Sequence, residues 1–219
     1  MIRVYHHIYP FQAGEDIAKK QKARLFEKIT DEFEYIPNVV KAHECELWTL
    51  KLLQNDCKEL DDDTPILYIH TKGATKPTVE RAQWREYMER ELIDNYRFHI
   101  DILNKGFSSS GALMGIPYWS STIYGGNFWW TTAGYIKTLP NDLDWSNWNP
   151  EITTMNDKTD FGYMGWAETR FLNKGKDYNP YTIPFFRIDG VEQFANLISD
   201  EISKNKTIDT KALIRGRII

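Results

Sequence analysis

The stretch that decides the fold is PILYIHTKG, residues 65–73. Its first part, Ile66 to Ile69, is a short apolar run of the kind that forms a buried strand. The residues that follow, His70 to Gly73, place an imidazole, an ammonium and a glycine directly after that strand. Either the strand carries chemistry to the edge of a sheet, or it turns into solvent there, and these residues alone leave both interpretations open.

Strands and helices are predicted to alternate around this stretch. The predicted strands lie at 2–5, 65–70, 112–116, 126–132 and 181–188, and the predicted helices at 15–36, 47–58, 78–104, 133–139, 163–174 and 190–204. A polar loop is predicted at 140–160. This alternation favours a mostly parallel sheet with helices on both faces. Since we find no repeat and no linker, residues 1–219 are expected to form a single α/β domain, and the basic ending ALIRGRII is compatible with excision from a longer protein.

Composition and charge exclude several classes of protein. Hydrophobic residues make up 42% and charged residues 26% of the chain, which is an ordinary globular composition. The net charge of -4 argues against a nucleic-acid binder, which usually carries a basic surface. No apolar run reaches the roughly 20 residues of a membrane span. The start, MIRVYHHIYP, is too short and polar for a secretory signal, and the two cysteines form no disulfide framework, so a cytoplasmic location is expected.

Two chain segments are expected to bring polar groups to the same edge of the sheet. Ligands of open α/β sheets bind outside the carboxyl ends of the strands. The turn 70–73 leaves the strand 65–70 at that end, and His6, His7 and Tyr9 follow the first strand in the same way. The acidic run 61–63 precedes its strand, and we therefore interpret it as a solvated turn at the opposite edge.

The residues of the turn have a chemistry that suits a phosphorylated ligand. Lys72 is a compact cation that can neutralise a diphosphate, and Gly73 allows backbone amides to approach phosphate oxygens closely. His70 can bind a divalent ion or donate a hydrogen bond to phosphate, and Thr71 lies between these groups. The competing interpretation is an exposed loop lysine beside a histidine that merely ends a strand.

A resemblance to a known family lies in three blocks of the chain, YIHTKG, Trp84-Arg85 and GGNFWW (125–130). These blocks resemble small glycosyltransferase domains of bacterial polysaccharide clusters and of chlorella viruses, where such domains build capsid glycans. The likeness covers roughly residues 1–190. It implies a GT-A type nucleotide-binding fold, a nucleotide-sugar donor that is most often UDP-linked and, if the source is viral, action in the host cytoplasm. Many GT-A enzymes bind Mn²⁺ through Asp-x-Asp where this chain has His70-Thr71-Lys72. Either His70 helps to hold a manganese ion, or Lys72 supplies the positive charge without one.

The resemblance also suggests the residue that performs the chemistry. The segment MGWAE, 164–168, is similar to the Gly-Trp-Gly-Gly-Glu-Asp block of inverting galactosyltransferases, and the matched position makes Glu168 the general base. If transfer retains configuration, Glu168 would instead orient the donor. Other acids that could take the role are Asp157, Asp160 and Asp189.

The aromatic segments are predicted to contact the sugars. Gly126 permits close approach of the backbone to a ligand, and Asn127 can hydrogen-bond to sugar hydroxyls of the donor. Trp129 and Trp130 should face opposite sides of a regular strand, with one in the core and the other towards the acceptor. The residues predicted to bind the acceptor are Trp130, Trp145 and Trp148.

These observations favour a glycosyltransferase that moves a sugar from a UDP-sugar to a glycan acceptor. The alternative is a non-catalytic carbohydrate-binding domain, which the 14% aromatic content and the missing Asp-x-Asp support. A third class, another nucleotide-dependent enzyme such as a phosphotransferase, lacks support because the chain has no P-loop pattern.

Overall fold

The computed structural model describes residues 1–39, 46–75, 77–112, 124, 127–139, 172 and 179–183. Within these residues the strands are β1 (Ile2–Ile8), β2 (Phe33–Val39), β3 (Pro65–His70), β4 (Ser109–Ala112), β5 (Trp129–Thr132) and β6 (Pro180–Ile183). The helices are α1 (Gln12–Lys28), α2 (Leu47–Cys57), α3 (Val79–Glu89), α4 (Tyr96–Asn104) and α5 (Ala133–Lys137).

The described strands form one sheet in the order β2-β1-β3-β5-β4-β6. β1 pairs in parallel with β2 and β3, and β4 pairs in parallel with β6, whereas β5 runs antiparallel to both β3 and β4. All strands except β5 therefore point the same way, so their carboxyl ends lie at one edge. This confirms the predicted mixed, mostly parallel sheet of an α/β protein.

The two faces of the sheet are covered by different helices. Val4, Leu67 and Ile69 pack into one core with side chains of α1, α3 and α4. Their neighbours Ile66 and Tyr68 pack into a second core with side chains of α2 and α5. Successive strand residues point to opposite faces, and the continuous apolar run of β3 exists because both faces of this strand are buried.

A π-helical turn at Arg90–Asp94 separates α3 from α4. Carbonyl groups in such a turn are displaced from regular helical hydrogen bonding and need other partners when they are buried. The indole nitrogen of Trp130 donates to the Leu92 carbonyl at 2.8 Å, and Nε2 of His99 donates to the Glu91 carbonyl at 3.1 Å. Side chains from β5 and α4 thus stabilise the turn, and the single helix predicted at 78–104 is wrong at this point.

The predicted helix at 15–36 is also wrong in its second half. α1 ends at Lys28, and β2 follows as the edge strand beside β1. Pro37 lies within β2, where an edge strand tolerates a residue without a backbone N–H. The predictions at 47–58 and 65–70 are confirmed almost to the residue, while β4 begins before the predicted strand 112–116. The predicted segments 2–5, 126–132, 133–139 and 181–188 overlap β1, β5, α5 and β6, with bounds that differ by a few residues. The rest of the predicted strands 112–116 and 181–188, the loop 140–160 and the helices 163–174 and 190–204 lie wholly or almost wholly outside the described residues.

Candidate functional site

The candidate site lies at the carboxyl ends of β1 and β3, which we call the β1/β3 edge and define by residues 6–9 and 70–73. The chain leaves β1 through α1 towards β2 on one side, and leaves β3 through α3 and α4 towards β4 on the other. A crevice opens where two such connections diverge, and α/β proteins bind ligands there. The topology therefore brings both predicted segments to the position where a ligand is expected.

Direct hydrogen bonds join the two segments beyond the last paired residues, His7 and His70. The backbone N–H of Thr71 donates to the His7 carbonyl at 3.1 Å. The Thr71 hydroxyl accepts from the backbone N–H of Tyr9 at 2.9 Å. Gly14 of α1 packs beneath this junction, since a Cβ atom there would lie 2.0 Å from the Tyr9 carbonyl oxygen. The ends of β1 and β3 are thus fixed to each other and to the start of α1.

One face of this edge carries two imidazoles. Nδ1 of His7 lies 2.9 Å from the Thr49 hydroxyl of α2, which also accepts from the amide of Asn38 at 2.9 Å. Nδ1 of His70 lies 3.9 Å from a carboxylate oxygen of Glu46. Burial lowers the pKa of His7, and the charge of Glu46 opposes this effect. At neutral pH, His7 is therefore an uncharged hydrogen-bonding group.

His6 points to the opposite face and is a core residue. Its side chain is fully buried, and its Nδ1 lies 2.9 Å from the Tyr35 hydroxyl. Burial lowers the pKa of His6 to about 3, so the ring is neutral. His6 was predicted to lie at this edge with His7 and Tyr9, but the structure places it beneath the edge rather than on its surface.

The turn after β3 carries more positive charge than the sequence prediction assigned to it. Nζ of Lys72 lies 4.6 Å from the centre of the Trp84 ring, in a cation–π contact, and the Lys72 carbonyl accepts from Nη1 of Arg85 at 2.7 Å. Gly73 has φ of 83°, and a Cβ atom there would lie 3.0 Å from Cβ of Arg81. Both arginines were missed as site residues. The signal for them was their spacing of four at the start of the helix after the turn.

The aromatic strand is packed into the core. Trp129 and Trp130 occupy opposite faces of the sheet, as predicted, and both are 0% exposed. The prediction that Trp130 faces an acceptor is therefore corrected, because its ring is buried and its N–H is already bonded. Asn127 is also buried and adopts φ of 60°, with its backbone N–H donating to the Tyr124 carbonyl at 3.0 Å.

The other residues predicted for the site stay predictions. Those that lie outside the described residues are Gly126, Trp145, Asp157, Trp148, Asp160, Glu168 and Asp189. Within the described ranges, no three His, Cys, Asp or Glu side chains are grouped closely enough to hold a metal ion. His70 with Glu46 is a pair of the right chemistry for Mn²⁺, but a third ligand is not among the residues described.

The comparisons with known proteins identify a family. In the described part of the chain no helix is both long and apolar enough to cross a membrane. No curated protein and no solved structure matches the sequence significantly. One family does match, over residues 4–165, and its description is Domain of unknown function (DUF8361). Because that match covers well over half of the sequence, the chain belongs to the family described as a domain of unknown function, DUF8361.

Proposed function

We propose that this protein is a glycosyltransferase with a GT-A type fold, which moves a sugar from a UDP-sugar to a glycan acceptor. The observation that carries the proposal is the junction of Thr71 with His7 and Tyr9 at the switch point of the sheet. It joins the two segments that the sequence singled out, at the position where α/β proteins bind nucleotides. The resemblance in YIHTKG and GGNFWW supplies the reaction class.

In this proposal the donor diphosphate binds at the turn 70–73. Lys72 provides an ammonium, and Arg81 and Arg85 add two guanidinium groups at the start of α3. Gly73 keeps the backbone accessible, because it has no side chain and adopts a left-handed conformation. Positive charge at this point would stabilise the diphosphate as it leaves with the electrons of the broken bond.

The negative charge of the leaving diphosphate can be neutralised in two ways. In the first, the cations of the turn and of α3 are sufficient. In the other, His70 and Glu46 supply two of the ligands of a manganese ion, which would stabilise the leaving diphosphate further when bound. The two alternatives differ in one measurable property, which is whether a chelator weakens UDP binding.

Transfer itself requires a group that accepts the proton of the acceptor hydroxyl. The acceptor oxygen forms a bond to the anomeric carbon while the bond from that carbon to the diphosphate breaks. In an inverting reaction Glu168 would take the proton, a role that rests on the resemblance alone. We expect Glu168→Gln to leave UDP affinity unchanged and to lower the transfer rate by about a hundredfold or more. Unchanged turnover, measured by release of UDP, would remove Glu168 from this role.

Thermal unfolding with nucleotides tests the proposal. UDP at a hundred times its dissociation constant should stabilise the protein by about 2.7 kcal/mol, or roughly 5–10 °C in Tm for a domain of this size. GDP and CMP serve as comparison ligands, and each nucleotide is measured with Mn²⁺ and with a chelator. If no nucleotide raises Tm while glycans do, the protein is a carbohydrate-binding domain and the proposal is wrong.

Two variants show where UDP binds. Lys72→Ala should reduce the stabilisation by UDP, because it removes the ammonium from the turn. Lys105→Ala removes an exposed lysine from the end of α4, at the opposite edge of the sheet, and should leave the stabilisation unchanged. Equal effects of UDP on both variants would place the nucleotide elsewhere on the protein.

A further inference from the structure

A buried polar cluster lies behind the turn, between α1 and α3, and its centre is Glu89. The residue is only 8% exposed. Its Oε1 accepts a hydrogen bond from Nε2 of Gln21 at 2.8 Å and lies 3.5 Å from Nε of Arg85, and its Oε2 lies 3.7 Å from Nη1 of Arg24. One carboxylate in the protein interior is therefore surrounded by an amide and two guanidinium groups.

Two of these partners also hold the backbone of the candidate site. Nε2 of Gln21 donates to the His70 carbonyl at 3.2 Å, and Nη1 of Arg85 donates to the Lys72 carbonyl at 2.7 Å. Gln21 and Arg85 thus reach the turn from two different helices. Both also lie against the same oxygen of Glu89, so the carboxylate fixes the two donors that fix the turn.

A carboxylate is a costly choice for this position. Burial raises the pKa of Glu89, and the hydrogen bond from Gln21 and the charges of Arg85 and Arg24 only oppose that rise. An apolar side chain would avoid the penalty of burying a charge. It would also leave the guanidinium of Arg85 without its carboxylate, and Gln21 without the group that orients its amide. A buried carboxylate at this position is explained if Glu89 keeps Gln21 and Arg85 in place and thereby holds the turn.

We propose that Glu89 is a positioning residue, which acts through Gln21 and Arg85 to hold the turn 70–73 in the conformation that receives the donor diphosphate. The identity of the ligand rests on the proposed function, whereas the holding of the turn does not. Neither Glu89 nor Gln21 stands out in the sequence. Their pairing depends on α1 and α3 meeting on one face of the sheet, which the sequence pattern does not specify.

Hydrogen exchange tests the holding of the turn without any ligand. We compare the peptide spanning 66–75 in the wild type, in Glu89→Gln and in Glu86→Gln, which changes an exposed carboxylate one turn earlier on α3. Exchange at the turn should be at least fivefold faster in Glu89→Gln and unchanged in Glu86→Gln. Wild-type exchange in a folded Glu89→Gln protein overturns the inference. Should Glu89→Gln fail to fold, Gln21→Leu and Arg85→Leu remove the two donors through which Glu89 acts. Wild-type exchange of the turn in both of these variants then overturns the inference.

Nucleotide affinity tests the consequence for the site. Glu89→Gln should weaken binding of UDP about tenfold and binding of uridine less than twofold, because only UDP has phosphates to meet the turn. An equal loss for both ligands would indicate general damage to the protein and overturn the positioning role. A wild-type protein that binds no UDP refutes the proposed function instead, and the exchange comparison still decides whether Glu89 holds the turn.

Discussion

Acidification should destabilise the fold, and His99 allows the cause to be isolated. The neutral ring uses its one donor and its one acceptor, since Nε2 donates to the Glu91 carbonyl and Nδ1 accepts from the Ser110 hydroxyl at 2.7 Å. Burial lowers the pKa of His99 to about 4. In the unfolded chain the ordinary pKa is about 6.5. Below pH 6.5 the unfolded chain therefore binds a proton that the folded protein does not accept until about pH 4.

The size of the effect follows from this difference in pKa. Each pH unit in that window lowers the free energy of unfolding by up to about 1.4 kcal/mol. His99 alone should thus cost about 3 kcal/mol between pH 6.5 and pH 4. His6 acts in the same direction, because burial also lowers its pKa. Glu89 acts in the opposite direction, because burial raises its pKa and the folded state takes up the proton first.

Urea unfolding of two variants between pH 8 and pH 5 separates His99 from the other groups. His99→Gln keeps one donor and one acceptor but does not titrate, so its stability should fall less steeply than that of the wild type, by about 1 kcal/mol per pH unit between pH 6 and pH 5. Ser110→Ala removes the hydrogen bond from the Ser110 hydroxyl to Nδ1 of His99 but keeps the imidazole. It should be less stable at every pH by about 1 kcal/mol, with the wild-type slope. A wild-type slope in His99→Gln would refute the reasoning.

Four further substitutions test backbone conformation and packing at the site and in the rest of the fold. Gly73→Ala and Gly106→Ala both place a side chain at positive φ, and each should lower the free energy of unfolding in urea by roughly 1–2 kcal/mol. Only Gly73→Ala should weaken UDP binding, because a Cβ atom at Gly106 meets open space away from the turn. Gly14→Ala should lower Tm by several degrees, because its Cβ cannot fit 2.0 Å from the Tyr9 carbonyl oxygen without a backbone shift. Trp130→Phe should cost about 1–3 kcal/mol, because it removes the buried hydrogen bond from the indole to the Leu92 carbonyl, while glycan affinity measured by calorimetry stays unchanged.

The sequence predicted the parts of the fold that depend on local pattern. β3 was found at 65–70 because a continuous apolar run flanked by Pro65 and a polar turn has few other interpretations. β2 was missed because Ile29, Phe33 and Ile36 continue the helical spacing of α1 past its end at Lys28. These residues are extended because they pair with β1, and the spacing of apolar residues within one segment does not indicate pairing with a distant strand.

The candidate site was predicted in the same partial way. Because ligands bind at strand ends, the sequence pattern alone predicted that His7, His70 and Lys72 share one edge of the sheet. The pattern could not distinguish His6 from His7, although the two are neighbours in sequence. Alternation along β1 sends the first into the core beside Tyr35 and the second to the face of α2. One residue of register separates a buried core group from a group beside the site.

The imidazole that ends β3 and the ammonium that follows it lie on different sides of the sheet edge. His70 ends the strand on the face of α2, where it lies near Glu46 and stacks on Tyr68. Lys72 lies two residues later on the other side, over Trp84, where α3 adds two arginines. Because burial lowers the pKa of His7, that ring adds no positive charge at neutral pH, whereas the turn and α3 carry Lys72, Arg81 and Arg85. If the cations of the turn suffice without a metal ion, a diphosphate should therefore bind on the α3 side, and its affinity should not depend on titration of His7.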